Sequence, residues 1–189
     1  MEIALIVSRT EKSASMFAEM LNEASISQIT TLNSAGEARR ILLDQDFDLV
    51  LVDSPLQDES GEKLSRYIAS KSLSQVMLAV NSEHFNAVSA ACEADGVLTI
   101  SKPVNNDFFW YALSLAKSAG NRIKRIQNEN AQLKQKIEDI RIIDKAKYLL
   151  ISHLKLSEQE AHRFIEKQAM DIRTTKRAIA EGILKTYAN

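Results

Sequence analysis

The sequence predicts a protein of the α/β class, with a doubly wound five-stranded parallel sheet, then a long coiled-coil helix and a small three-helix C-terminal domain. Three observations support this prediction. Short apolar runs alternate with helix-period segments in the N-terminal part, a heptad pattern follows, and helix-capping signals mark the C-terminal part. We place the domains at residues 1–118, 119–145 and 146–189.

Five apolar runs are the strand candidates, at residues 3–7, 26–30, 49–52, 76–80 and 97–100. Runs that are apolar at every position, such as the one that begins at Ile3, are typical of strands covered on both faces. The segments between them carry apolar residues at helical spacing, for example Phe17 and Leu21. Five such strand–helix units favour a parallel sheet with helices on both faces.

A heptad repeat of apolar residues follows the last strand–helix unit. Its six positions are Ile123, Asn130 and Ile137 at a, and Ile126, Leu133 and Ile140 at d. A lone Asn at an a position pairs with its own copy in a parallel two-stranded coiled coil, where it selects the register at a cost in stability. We therefore expect a parallel homodimer. The alternative is a single amphipathic helix packed on its own domain.

The C-terminal residues predict the end of this helix and two shorter helices. Ser157 and Glu160 form a capping-box pattern at the start of the first. We expect that helix to bury Ala161, Phe164, Ile165 and Ala169. Thr174 or Thr175 is the candidate cap of the final helix, whose apolar residues are Ala178, Ile179, Ile183 and Leu184.

Charge divides the chain into two unlike parts. Residues 1–120 hold 9 Lys and Arg against 16 Asp and Glu, and residues 121–189 hold 15 against 9. The second part can therefore meet a polyanion, although a basic helix surface that only faces water explains the same balance. The single cysteine, the lack of a signal-peptide pattern and the lack of a long apolar run lead us to expect a cytoplasmic protein without membrane contact.

Polar residues stand where the parallel strands are expected to end, at the edge where such sheets bind ligands. The sequence Asp-Leu-Val-Leu-Val-Asp53, the later Gly61, and Ser101-Lys102-Pro103 resemble the receiver domains of two-component response regulators over residues 1–118. The resemblance implies a flavodoxin-like fold. It also implies that Asp53 occupies the phospho-acceptor position and Lys102 that of the lysine that contacts the phosphoryl group.

The receiver resemblance fails at the metal site. Ser8 and Arg9 stand where the family carries two acidic residues that hold Mg²⁺, and a guanidinium supplies no oxygen ligand. We expect Asp53 to form a salt-bridge cluster with Lys102 and Arg9, and no Mg²⁺-dependent phosphorylation.

Two further features bear on the metal and on switching. The alternative metal ligands are Glu11, Asp58 and Glu59. The family's switch positions fall near Val80 and at Thr99.

The C-terminal part resembles a second family. Ala146-Lys147, Leu156-Ser-Glu-x-Glu-Ala161 and Gln168-Ala-Met170 lie at the spacing of the ANTAR domain of transcription antitermination regulators, over residues 140–185. Tyr148 stands where that family usually has Gly. The resemblance implies an RNA ligand, the hairpins of a leader transcript, whose capture prevents formation of a terminator.

Basic side chains near the three short helices are the candidate RNA-binding residues: Lys147, Arg163, Lys167, Arg173, Lys176 and Arg177. We expect the first and the last two of these to be exposed. Tyr148 and Phe164 are candidates for stacking on bases, although a core position is the stronger interpretation of Phe164. Ala146, Ala161 and Met170 are expected to pack in the core.

Other functional classes are less well supported. His84, His153 and His162 lack metal-ligand spacing, and the sequence has no phosphate-binding glycine loop, so we expect neither an enzyme nor a cofactor. The alternative function is a DNA-binding two-component response regulator phosphorylated on Asp53. A third class is a scaffold that only dimerises and binds protein. The expected partners are RNA, a second copy of the chain, and a regulatory protein or a sensor kinase.

Overall fold

The computed structural model describes residues 1–187. The N-terminal elements are β1 Ile3–Ser8, α1 Glu11–Glu23, β2 Gln28–Leu32, α2 Ala35–Asp44, β3 Leu49–Asp53, α3 Glu62–Lys71, β4 Gln75–Asn81, α4 Ser82–Glu93 and β5 Leu98–Lys102. Three helices follow: α5 Asn106–Leu154, α6 Glu158–Asp171 and α7 Lys176–Tyr187. The five strands are all parallel, in the order β2-β1-β3-β4-β5. The predicted fold class is confirmed.

The sheet is buried on both faces, as its continuously apolar strands predict. Alternate residues of β3 belong to different cores because successive side chains point to opposite faces. Leu49 and Leu51 pack with Phe17 and Phe109 in the hydrophobic core on one face of the sheet. Val50 belongs to the hydrophobic core on the other face. Both layers close over the sheet and leave the carboxyl ends of the strands as its functional edge.

The second strand begins two residues later than the sequence predicts. Ile26 was expected in the strand, but it lies in the turn before β2 and is fully buried. Ser25 adopts a φ of 63°, and the amide of Ile26 donates to the carbonyl of Leu21. The apolar side chain therefore closes the end of α1 against the core, in the manner of the apolar contact that accompanies helix C-caps.

The chain divides into two compact units, one of residues Met1–Arg125 and one that begins at Ile126. The second unit has its own core, in which Ala146 and Leu150 of α5, Ala161 and Ile165 of α6, and Ile183 of α7 are buried. A small three-helix C-terminal domain is thus present. Positions 188 and 189 of the predicted domain lie outside the described residues.

The capping signals of the second unit are correct, but its buried faces differ from the prediction. Ser157 and Glu160 form the capping box, and Thr175 caps α7, its Oγ1 accepting from the amide of Ala178 at 3.2 Å. Phe164 is 39% exposed and Met170 is 77% exposed, although we expected both to be buried.

The helical phase explains both errors. Ala161, Ile165 and Ala169 recur every four residues and form the buried stripe of α6. Phe164 precedes Ile165 by one residue, which is about 100° around the helix, so it lies at the margin of the stripe. Met170 lies still farther round, on the solvent side. On α7 the same argument applies: Ala178 is exposed and Ala180 is buried in its place.

The heptad positions lie on α5, which is one continuous helix of 49 residues. All five apolar side chains of the heptad are exposed in the single chain, between 38% and 58%. The Asn130 amide donates to the carbonyl of Ile126, one turn earlier on the same helix. The alternative that this helix face packs on its own domain is therefore wrong.

Candidate functional site

Asp53 is the last residue of β3, at the carboxyl edge of the sheet. In the strand register, Ser8 of β1 and Ala79 of β4 are its two lateral neighbours. Asp53 is 6% exposed and Ser8 is 3% exposed. A carboxylate at this depth needs partners for both of its oxygens, since an unpaired buried charge is costly.

Two side chains satisfy the Asp53 carboxylate. The Ser8 hydroxyl donates to Oδ2 at 2.8 Å, and the Lys102 ammonium donates to Oδ1 at 2.7 Å. The Lys102 ammonium also donates to the carbonyl of Ser54. Asp53, Ser8 and Lys102 thus form a closed group in which each carboxylate oxygen already has a hydrogen-bond donor.

Arg9 is not part of this group. It is exposed and forms no ion pair with Asp53 in the part of the chain that the structure describes, so the expected pairing is wrong. The alternation of side chains explains the difference. Ser8, the last residue of β1, occupies the buried position beside Asp53, and Arg9 follows it in the turn towards α1.

The acidic residues of the loop after β3 are engaged elsewhere. Asp58 accepts the amides of Ala35 and Gly36 at 2.8 and 2.9 Å, which caps the start of α2 and lowers the pKa of the Asp58 carboxyl. Glu59 receives two hydrogen bonds from one nitrogen of Arg39, at 2.8 and 3.1 Å. These bonds fasten the loop after Asp53 to α2.

The side chains at the sheet edge do not form a suitable ligand set for Mg²⁺, which prefers oxygen ligands in a near-octahedral arrangement. Asp53 is bound to an ammonium and a hydroxyl, and Asp58 and Glu59 are bound to α2. Among residues 1–187, no cluster of three or more His, Cys, Asp or Glu side chains has a metal-binding arrangement.

Three of the six candidate RNA-binding cations are held in ion pairs within the second unit. Lys147 of α5 pairs with Glu158 of α6 at 3.2 Å, and Lys176 of α7 pairs with Glu166 of α6. Arg177 of α7 pairs with Asp139 of α5 at 2.7 Å, and also with Glu181. Each of the three cations therefore joins a different pair of the three helices.

The expected exposure of Lys147 and Arg177 is wrong, and that of Lys176 is right. The Lys147 side chain is 15% exposed, and its hydrogen bond to Asp144 raises the pKa of its ammonium. The Arg177 side chain is 33% exposed and its bond to Asp139 raises the pKa of its guanidinium. The carboxylates, which the sequence prediction did not consider, turn these side chains towards the protein.

The other three cations, Arg163, Lys167 and Arg173, are exposed and form no ion pair among the described residues. They lie on α6 and on the turn that follows it. The structure thus separates six residues of equal standing in the sequence into two groups of three.

Each of the two units matches a known protein family. The family model described as "Response regulator receiver domain" matches residues 4–113. The chain belongs to the response regulator receiver family. The model described as "ANTAR domain" matches residues 131–184, so the receiver domain is followed by a C-terminal ANTAR domain.

One relative is the transcriptional regulatory protein PdtaR of Mycobacterium tuberculosis, found in strains CDC 1551 / Oshkosh and H37Rv. It is 28% identical over 169 residues, which cover 89% of this chain and 82% of the relative. The chain is accordingly an antitermination regulator with a receiver domain.

Solved receiver domains share the fold of the first unit at low identity. One is the signal receiver domain of an HD domain-containing protein from Pseudomonas fluorescens Pf-5, with a TM-score of 0.58 and 17% identity over 66% of this chain and 92% of that one. Another, from a putative Luxo repressor protein of Vibrio parahaemolyticus, has a TM-score of 0.59 and 16% identity over 66% and 96%.

The expected switch positions near Val80 and at Thr99 lie in β4 and β5. Val80 is 3% exposed and lines a cavity of about 260 Å³ with Asn81 and His84. Thr99 is 9% exposed, and within residues 1–187 its Oγ1 is the one buried side-chain polar atom that lacks a hydrogen-bond partner.

No helix in residues 1–187 combines the length and the apolar composition that a membrane crossing requires.

Proposed function

We propose that this regulator binds RNA stem–loops of a leader transcript through its ANTAR domain and thereby prevents formation of a terminator. It acts as a homodimer, and its receiver domain is not switched by Mg²⁺-dependent phosphorylation. The observation that carries the proposal is the ANTAR domain itself, a basic unit with three exposed cations, at positions 163, 167 and 173, that form no ion pair among the described residues.

RNA suits this surface because phosphates are neutralised by exposed Lys and Arg side chains, and counterions are released as they bind. Residues 121–189 carry a formal charge of +6, whereas the preceding 120 residues carry −7. The acidic part repels a polyanion, and the basic part attracts it. Charge therefore favours RNA contacts in the C-terminal part of the chain, which contains the ANTAR domain.

The homodimer is supported by the exposed heptad seam of α5. Five apolar side chains are left open along about five turns of helix, and a second seam of the same kind covers them by knobs-into-holes packing. In a parallel dimer Glu129 faces the partner's Lys134, which is attractive, but Lys136 faces the partner's Arg141. Flanking charge thus leaves the orientation open, and Asn130 favours the parallel arrangement because its copy then lies opposite it.

The proposed loss of phosphorylation rests on the closed group around Asp53. Phosphoryl transfer needs a metal ion that offsets developing charge, and the residues here supply a hydroxyl and an ammonium instead. Control then passes through a regulatory protein, a small ligand or the abundance of the protein. A sensor kinase is a partner only if Asp53 accepts a phosphoryl group.

Selection of RNA by the wild-type chain tests the proposed function. A pool of RNAs with two stem–loops and randomised loop nucleotides is enriched on the purified full-length protein. The affinity of the selected RNA is then measured by fluorescence anisotropy against duplex DNA of the same length and against the RNA with scrambled loops.

We expect the selected RNA to bind much more tightly than either control, because loop bases carry the sequence information and phosphates carry none. Tighter binding to duplex DNA would favour the DNA-binding response regulator instead. Equal binding to all three probes would leave only nonspecific electrostatic attraction and would contradict the proposal.

A further inference from the structure

Four exposed cations follow the length of α6 from one end to the other. Arg163 and Lys167 lie on the helix, Lys155 lies in the turn before it and Arg173 in the turn after it. None of the four forms an ion pair within residues 1–187. Lys155 was not among the residues that the sequence prediction selected.

Both turns that flank α6 hold their cation in an uncommon backbone conformation. Lys155 has a φ of 58° and Arg173 has a φ of 52°, in the left-handed region. Gly is the usual residue at such helix ends, and other residues adopt this conformation at an energetic cost. Residues with this kind of strain are concentrated at functional sites, where the surrounding structure holds them in place.

Two exposed apolar side chains lie between these cations. Arg163, Lys167 and Met170 are separated by four and three residues, so they share the face of α6 opposite the buried Ile165. Phe164 is 39% exposed and Met170 is 77% exposed. Alternation of cations with apolar and aromatic side chains suits a nucleic acid strand, in which charged phosphates alternate with flat bases.

We propose that the exposed face of α6 is the RNA-contacting surface of the ANTAR domain. Lys155, Arg163, Lys167 and Arg173 contact the RNA backbone, and Phe164 contacts an unpaired loop base. This assignment rests on the proposed function and refines it.

The same proposal assigns a structural role to the cations that are already paired. Lys147, Lys176 and Arg177 join the three helices and do not contact RNA. They matter for binding only because they maintain the fold on which the α6 face is presented.

The size of the surface agrees with this assignment. α6 has 14 residues, which at about 1.5 Å per residue gives roughly 21 Å, a length that reaches several nucleotides of one strand. The cations at its two ends extend the contact past the helix. The side chains are long and exposed, so they can follow the path of a loop and the adjoining stem.

Substitutions in the full-length protein test the surface, with the selected two-stem–loop RNA as probe. Arg163→Gln and Lys167→Gln should each weaken binding roughly tenfold and reduce the salt dependence by about one released counterion. Lys185→Gln is the matched control, since Lys185 is an exposed lysine of α7 without an ion pair among the described residues. It should leave affinity unchanged.

A substitution in the turn after α6 gives a second test, in which weaker RNA binding cannot be explained by loss of folding. Arg173→Gly removes the cation and also the cost of the left-handed conformation. We expect weaker RNA binding together with a thermal unfolding midpoint that is unchanged or higher. Lys147→Gln should do the opposite, lowering the midpoint and leaving the affinity of the folded protein unchanged. Phe164→Leu should reduce the preference for selected over scrambled loops.

The outcomes separate this inference from the proposed function. If the wild-type chain selects and binds stem–loop RNA, but Arg163→Gln, Lys167→Gln and Arg173→Gly bind like wild type, the α6 surface is wrong and the proposed function stands. If Lys147→Gln abolishes binding at an unchanged midpoint, the paired cations contact RNA and the division into two groups is wrong. If the wild-type chain binds no RNA selectively, both proposals are wrong.

Discussion

The receiver resemblance assigns Ser8 to a position of a metal-binding carboxylate, and the Ser8 hydroxyl donates to Asp53, the expected phospho-acceptor position. With a serine there, the interaction with Asp53 is attractive, whereas with a carboxylate it would be repulsive. Two carboxylates side by side repel each other and need a cation between them, whereas Ser8 donates to Asp53 and needs none. Lys102 then supplies the one positive charge that Asp53 requires. The group is complete without an ion.

Phosphorylation tests this interpretation at the level of single residues. The wild-type chain should gain no phosphoryl group when it is incubated with acetyl phosphate and Mg²⁺, as followed by intact mass spectrometry. The double substitution Ser8→Asp and Arg9→Asp should restore oxygen ligands beside Asp53 and allow phosphorylation. Adding Asp53→Asn to that pair is the control, and it should remove the signal. Stoichiometric modification of wild-type Asp53 would show that the receiver domain is active.

Asp48 provides a prediction about pH. Burial by itself raises the pKa of the Asp48 carboxyl, but Lys124 and the amides of Glu2 and Ile3 outweigh it and lower the pKa from 3.8 to about 2. The ionised carboxylate therefore stabilises the fold at pH values above about 4, and this contribution is lost as the pH falls through about 2.

The corresponding variant is Asp48→Asn. It should lower the free energy of unfolding by about 1–2 kcal/mol at pH 7, with a difference from wild type that shrinks as the pH approaches 2. Asp46→Asn is the matched control, because Asp46 is exposed two residues earlier. Chemical denaturation at several pH values measures both. A pH-independent effect of Asp48→Asn would contradict the ionic origin of the stabilisation.

At the scale of whole elements, periodicity in the sequence was sufficient for the fold. The strands, the long helix and the capping box at Ser157 follow from local patterns, and the structure reproduces them. The edge strand β2 was misplaced because Ile26 is apolar without being part of a ladder. A residue that closes a helix end and one that starts a strand look alike in a sequence.

The candidate sites were less predictable because they depend on pairs that are distant in sequence. Asp139 and Arg177 are 38 residues apart, and no local pattern connects them. The sequence could identify basic residues in the ANTAR domain, but not which of them a carboxylate already holds. The sequence did not identify Lys155, because the feature that distinguishes it is a positive φ between two helices. That is a backbone conformation, which the residue type does not indicate.

A substitution at Asn130 tests the predicted coiled coil of α5. Asn130→Leu should raise the thermal unfolding midpoint and broaden the distribution of oligomers, since the buried amide selects the parallel dimer at a cost in stability. Asn128→Leu is the matched control on the outer face of the same turn, and it should leave the distribution unchanged. Analytical ultracentrifugation at micromolar concentration measures both. A wild-type chain that is monomeric there would disprove the coiled coil.

At the scale of the whole molecule, a dimer carries two ANTAR domains, one on each chain. If each binds one stem–loop, the first contact raises the effective concentration of the second. RNA with two stem–loops should then bind roughly 100-fold or more tightly than RNA with one. Binding to either RNA should weaken as salt rises, because each neutralised phosphate releases counterions.

A monomeric variant separates avidity from any direct preference for the longer RNA. Leu133→Glu with Ile137→Glu places charges in the exposed seam, so it should prevent dimerisation without unfolding the chain. This variant should bind RNAs with one and with two stem–loops about equally well, apart from a statistical factor of about two. Fluorescence anisotropy over several salt concentrations measures the four affinities. If the wild-type dimer shows no gain from the second stem–loop, the two ANTAR domains do not engage one transcript together, and dimerisation serves another purpose.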